Sequence, residues 1–342
     1  MQNQRAKNIL WFSVATAIFT GLILVADPSK ILSSLSDAEL TYIPVAFLTG
    51  TMVVVCWSLN WHIFFKSLGI NSSFFTTFRI FTAGQFFNNI TPLGRFGGQP
   101  IMAYLISKKT NSTYEKSLAT VMSADLVTVI PMSLYIITGL VFVLITGSLS
   151  QELARVSLSL LAFLCTGILI GFLAWFKPGT LEKYSLKLIS KIIKITGRGR
   201  KLEKILKERI KDWEKALESI GNSPKTLIYS LGITGSAFLF RMITFYLVLT
   251  SLGLYIHPIK IMLLIPLISF ASISPTPGGT GTYEAAMAGT LLLISDFTLA
   301  TAVTATILYR TTTYWQGITI GYISTTTLGK IPETENIPKR VK

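Results

Sequence analysis

Long apolar runs, separated by short polar breaks, dominate the chain. NILWFSVATAIFTGLILVA (8–26) and LSLLAFLCTGILIGFLAWF (158–176) each run 19 residues without a charge, close to the roughly 20 needed to cross a hydrocarbon core. The pattern predicts full spans at about 8–26, 42–65, 117–147, 156–176, 226–252 and 298–328. Two further apolar stretches are interrupted: 75–106 is broken at 91–98, and 259–295 at 274–281. Their arms of about 15 to 17 residues are short for a span and suit re-entrant half-helices. A different pattern occupies 177–225. There Leu202, Leu206, Ile210, Trp213, Leu217 and Ile220 recur every three or four residues, which predicts a helix with one apolar face and one charged face.

Charge orients these elements. Of 342 residues, 31 are Lys or Arg and 16 are Asp or Glu, a formal charge of +15. Fourteen of the basic residues and six of the acidic ones lie within 177–225. Basic excess beside membrane spans signals a cytoplasmic face and contact with anionic lipid, not nucleic acid. Arg5, Lys7, Lys66, Lys108, Lys109, Lys116, Lys330, Lys339, Arg340 and Lys342 all fall on one side of the predicted map. The opposite loops carry only Lys30, Arg155 and Lys260, each with acidic neighbours. Both termini are therefore expected in the cytoplasm, in a cell membrane.

With that orientation, the first broken segment enters and leaves from inside and the second from outside. The expected fold is an all-α polytopic membrane protein. It has six full spans plus two re-entrant broken hairpins arranged as an inverted-topology repeat, or eight spans by simple hydropathy. The first repeat covers 1–147 and the second begins at 148–176. The basic cytoplasmic helices fill 177–225, the second repeat resumes over 226–329, and 330–342 is a cytoplasmic tail.

Irregular backbone at membrane depth must be buried in protein or line a wet cavity, because an unpaired N–H or C=O facing lipid costs several kcal/mol. The breaks NNITPLGRFGGQP (88–100) and SPTPGGTGTYEAAM (274–287) are thus expected inside, near one another. In each, a proline stops one helix and glycines open the next: Gly97 and Gly98 in the first, then Pro277, Gly278, Gly279 and Gly281 in the second. Helix N-termini offer unpaired N–H donors to an anion, although close packing through small residues would also explain the glycines. Arg79, Arg95, Arg241, Arg310, Asp125 and Glu284 fall within spans or hairpins, where ionisable groups are functional candidates. Arginine suits bidentate binding of phosphate. Pairing of Arg95 with Asp125 and Arg310 with Glu284 is the plainer alternative. Asn88, Asn89, Thr91 and Thr276 are expected to supply neutral hydrogen bonds.

Neither a P-loop, nor HExxH, nor GxSxG occurs in the chain, and no cofactor or metal is called for. Cys56 and Cys165 fall inside spans and read as small core residues. His62 and His257 lie near span ends and lack a catalytic partner.

FNNITPLGRFGGQPIMAYLISKK, PTPGGTGTYEAA and the final-span arginine in ILYRTTTYW resemble the membrane-domain family named for lysylphosphatidylglycerol synthases, over essentially the whole chain. In the bacterial synthases this domain precedes an aminoacyl-transfer domain and is associated with moving lysyl-lipid between leaflets. The resemblance implies the flippase part without the transferase, as in stand-alone, often archaeal relatives. Members often carry Gly-Glu where this chain has Gly98-Gln99.

The expected function is transport of an anionic phospholipid or lipid-linked headgroup. Arg95 and Arg310 would hold the anion, Arg241 and Arg79 would guide it, and Asp125 and Glu284 would balance charge or couple protons. The alternatives are a membrane transferase on polyprenyl-phosphate or phospholipid substrates, and an accessory subunit whose 181–220 segment recruits a soluble enzyme. Membrane lipids are the expected partners, and homo-oligomerisation is left open.

Overall fold

The computed structural model describes residues 2–91, 94–110, 112–146, 223–272 and 274–328, with single positions at 155, 158, 159, 162 and 166. Most of the span expected at 156–176, the basic helices of 177–225 and the tail at 330–342 lie outside these residues. Among the described residues the structure is all-helical. Three helices among the described residues are long and apolar enough to cross a membrane: α3 (Tyr42–Ser67), α6 (Tyr114–Ile145) and α7 (Pro224–Ser251). A fourth crossing follows if α1 (Gln2–Val25) and α2 (Pro28–Ser36) count together, although they bend by 78°.

A loop is expected between residues 26 and 42, and α2 replaces it. Asp27 caps the helix: its carboxylate accepts the Ser29 N–H at 3.1 Å and the Ser29 hydroxyl at 2.6 Å. Pro28 at the first position lacks the N–H that would go unpaired there. Ile31 packs inward while Leu32 stays exposed, as for a helix lying along a surface.

The two interrupted stretches form pairs of helices. In the first, α4 (Phe74–Ile90) ends at Thr91, whose extended backbone (φ −97°, ψ 129°) is what a following proline demands. α5 (Gly94–Thr110) then begins. In the second, α8 (Pro258–Ile268) tightens into a 3₁₀ turn at Ser269–Ser272, a second turn at Pro277–Gly279 follows, and α9 (Thr282–Ile294) begins. At 1.5 Å per residue, the 11 residues of α8 and 13 of α9 reach only about 16 and 20 Å. The last segment runs as α10 (Leu299–Arg310), a π-helical turn (Thr311–Trp315) and α11 (Gln316–Thr327).

α3 lies at the centre, against α7, α4, α6 and the π-turn. Polar side chains pin these crossings where lipid-like surroundings supply no hydrophobic drive between helices. Thr49 and Thr244 share a hydroxyl bond of 2.8 Å, and Asn60 donates to the Ala124 carbonyl at 3.2 Å while accepting from Ser230. At Gly50 the helix meets the Thr312 carbonyl so closely that a Cβ would overlap it. Gly50→Leu should therefore separate α3 from the π-turn and cost at least the ~1–3 kcal/mol typical of overpacking, read as a lower melting temperature in detergent.

Buried apolar side chains form two main groups. One centres on α7 to α10, with Phe245, Leu249, Met287 and Tyr309. The other joins α3 to α6 through Trp61, Phe65, Ile80 and Ile106. Trp57 touches both, and the space between them is lined by polar and aromatic side chains together.

Candidate functional site

The site grows from the start of α9. Gly281, at φ 85°, is the N-cap, and Glu284 three residues on is buried. One Glu284 oxygen accepts the Gly281 N–H at 2.6 Å; the other pairs with Arg310 Nε at 2.7 Å. Arg310 is itself only 6% exposed. Its guanidinium lies 3.6 Å from the ring centre of Tyr314 and 4.7 Å from that of Tyr283, and it also donates to the Gly278 carbonyl at 3.4 Å. The π-turn begins immediately after Arg310. Such wide turns recur at functional sites, and here it holds Tyr314 over the arginine face.

Beside this pair opens a cavity of about 390 Å³. α4 and α5 contribute Gln85, Asn88, Asn89 and Gln99 to its lining; Arg241, Gly278, Tyr283 and Arg310 come from the second half of the chain. Trp57 and Trp61 of α3 and Asp125 and Thr128 of α6 complete it. Gln99 donates to Asp125 at 3.0 Å. Arg241 donates to the Ser269 hydroxyl at 3.4 Å and has no carboxylate in ion-pair range among the described residues. The two broken segments meet here. α4 and α5 pack on the Pro277–Gly279 turn, and the Tyr314 hydroxyl reaches the Asn89 carbonyl at 3.5 Å.

Of the residues singled out from sequence, Arg241, Arg310, Asn88, Asn89, Gly278 and Asp125 line the cavity, and Glu284 stands behind Arg310. Pro277 and Gly279 are buried in the turn, and Thr276 is buried and bonded to Ser274 at 2.6 Å. Thr91 is at the exposed end of α4, its hydroxyl on the Phe87 carbonyl at 2.5 Å. Arg79 lies away from the cavity, on Thr327 and near the Phe75 ring. Arg95, Gly97 and Gly98 stand on the first turns of α5, and the Arg95 side chain falls outside the described residues.

Two of the glycine N–H groups expected to face an anion are engaged within the chain: the Gly279 N–H bonds the Thr276 carbonyl at 3.0 Å and the Gly281 N–H bonds Glu284. The protein's own carboxylate takes the anion seat of the helix N-terminus. Gly278, Gly279 and Gly281 all have positive φ, at 57°, 72° and 85°, which favours glycine. Gly281 also presses on Ile18 of α1. A Cβ at Gly278 would run into Tyr314, so Gly278→Ala should destabilise the fold by about 1–3 kcal/mol from backbone strain alone and displace Tyr314 from Arg310. A melting temperature equal to the parent's would refute this.

Sequence reasoning missed the cavity's aromatic residues and Gln85. For Tyr314 a signal exists: it stands four residues after Arg310 in RTTTY, the spacing of helical neighbours.

The family model for the lysylphosphatidylglycerol synthase TM region matches residues 12–321. A UPF0104 membrane protein of Pyrococcus horikoshii is 26% identical over 333 residues, 93% of this chain and 96% of its own. One from Methanocaldococcus jannaschii is 26% identical over 329 residues, 95% of this chain and 96% of its own. A third, from Methanothermobacter thermautotrophicus, is 18% identical over 311 residues, 90% of this chain and 92% of its own.

Proposed function

Since the chain belongs to the family of the lysylphosphatidylglycerol synthase TM region, we propose that it carries an anionic lipid headgroup between leaflets through the cavity between its two broken segments. The observation that carries this reading is Arg241, set in a cavity of mixed polar and aromatic lining inside an apolar helical protein, with no carboxylate in ion-pair range among the described residues. Charge in such a place is costly and functional by default. Arginine matches phosphate, while the lipid tails would stay in the bilayer.

The short arms of α8 and α9 support a re-entrant second segment, and the loop charges support an inverted repeat with both termini inside. Cysteines placed at Ser72 and Ser112 should then label from the cytoplasmic face, and one at Tyr255 from the external face. A cysteine at Ile90, at the tip of the first segment, should resist a bulky impermeant reagent from outside. Ready labelling there from outside would make α4 and α5 two full spans.

Less supports the transferase alternative. A membrane transferase needs an acid or base; both Glu284 oxygens are taken, which leaves Asp125, hydrogen-bonded to Gln99, to fill that role alone among the described cavity carboxylates. Leaflet exchange of headgroup-labelled lipids in proteoliposomes tests the transporter reading. Exchange that depends on the folded protein and on Arg241 is expected. No exchange across anionic, zwitterionic and polyprenyl-phosphate lipids, with or without an ion gradient, would sink it.

A further inference from the structure

The C-terminus of α11 is held by two cations from other helices. An α-helix leaves its final carbonyls without intrahelical partners, at the negative end of its dipole. Arg79 of α4 donates through Nε to the Thr327 hydroxyl at 3.1 Å and through a terminal nitrogen to the Thr327 carbonyl. Lys109, near the end of α5, donates to the Leu328 carbonyl. Neither cation has a carboxylate in ion-pair range among the described residues. Both arms of the first broken segment thus fasten the last helix at the face that the loop charges make cytoplasmic.

One turn deeper, α4 and α11 form a closed seam. The Thr82 hydroxyl donates to Ser324 at 2.7 Å. Gly321 meets the Thr82 carbonyl so closely that a Cβ would overlap it, and the Phe86 and Tyr322 rings stand 5.8 Å apart. Thr82 and Gly317 also line the cavity. Three residues of helix place Thr82 only about 5 Å along the axis from Arg79, so the cation hold and the cavity wall belong to one helix pair.

A phosphate oxygen is a better partner for both cations than a carbonyl. Hydrogen bonds to ionised acceptors are about twice as strong as those to neutral ones, and the arginine fork matches phosphate. Lys109 is exposed and Arg79 half-buried, within reach of a ligand at the membrane surface. Apolar surface at the same place favours a lipid over free phosphate: Phe75, its ring 5.8 Å from the Arg79 guanidinium, is 68% exposed. An acyl chain would meet that ring while the phosphate meets the cations, and the released carbonyls would turn to water.

We infer that Arg79 and Lys109 form a second, cytoplasmic site for lipid phosphate, whose occupation frees the end of α11 and opens the α4–α11 seam toward the cavity. This rests on the lipid-transport reading and the orientation given above.

The test uses the full chain with Cys56→Ser and Cys165→Ser, carrying Thr82→Cys and Ser324→Cys in place of hydroxyls 2.7 Å apart. The rate of oxidant-driven disulfide formation in detergent then reports a closed seam. Saturating short-chain phosphatidylglycerol should slow it by about tenfold, the lower end of what one charge-assisted hydrogen bond is worth. Short-chain diacylglycerol, which lacks the phosphate, should leave it unchanged. The slowing should vanish when Arg79→Gln and Lys109→Gln are combined, and persist in Arg241→Ala, because the cavity is a separate site. Cations that merely cap α11 would lower the melting temperature when removed but leave the slowing by lipid intact. That result, a rate indifferent to the lipid, or slowing lost in Arg241→Ala would overturn the inference. Inorganic phosphate acting as strongly as the lipid would overturn the assignment to lipid. In proteoliposomes the disulfide should stop leaflet exchange until a reductant is added. Exchange that continues through the disulfide would remove the seam alone, whereas a reduced protein that exchanges no lipid would remove the transport reading beneath it.

Discussion

Replacing Arg310 by methionine should unfold the protein more readily, not merely silence it. The Arg310–Glu284 pair is buried and joined at 2.7 Å, so losing one partner leaves an uncompensated charge inside. Breaking buried pairs costs about 3–5 kcal/mol. At about 1–2 °C per kcal/mol for a chain of this size, the melting temperature in detergent should fall by about 4–7 °C. Glu284→Gln should cost less, because the amide oxygen can still accept the Gly281 N–H. The double variant, Arg310→Met with Glu284→Gln, should recover most of the stability, since a pair replaced as a whole by uncharged groups is often neutral. Exchange should remain lost in the double variant, because Arg310 and its hold on the Gly278 carbonyl are gone. A single Arg310→Met variant as stable as the parent would contradict the burial argument. Normal exchange in the double variant would remove Arg310 from transport.

Arg241→Ala should do the reverse, abolishing function while sparing the fold. Its polar contact among the described residues is a long one, 3.4 Å to Ser269, so truncation breaks no buried ion pair. If it holds the phosphate, losing a buried charged contact of 2–5 kcal/mol means an exchange rate lower by about a hundredfold, with stability within about 1 kcal/mol of the parent. Arg241→Lys should fall between, keeping the charge but losing the planar fork that matches phosphate. Undiminished exchange in Arg241→Ala would place anion recognition elsewhere in the cavity.

The comparison of these two arginines marks where sequence reasoning stopped. Both stand in apolar surroundings in the chain, and reading by span position ranks Arg310 first and Arg241 as a guide. The structure sets them apart: Glu284 and two tyrosines converge on Arg310 from α9 and the π-turn, and Glu284 does not reach Arg241 in an ion pair. Asp27-Pro28-Ser29 carries a legible helix start, yet apolar periodicity over nine residues is too short to distinguish α2 from a loop. The two cavity tryptophans look like any others inside α3; nothing local says which faces of a span meet water and which meet lipid.

By itself the sequence determined the all-helical character, the apolar helices, and the two segments interrupted by proline and glycine. Each of these follows from local rules: hydropathy over about 20 residues, the missing N–H of proline, and the missing Cβ of glycine. The tertiary structure decided what those parts do. It brought the Pro277–Gly279 turn against α4 and α5, spent the glycine N–H groups internally, and neutralised one arginine. It also turned the α4 amides into a common cavity. Those outcomes depend on which side chains arrive from distant segments, and the energy of a charge or an amide in low dielectric is set by its neighbours in space, not in sequence.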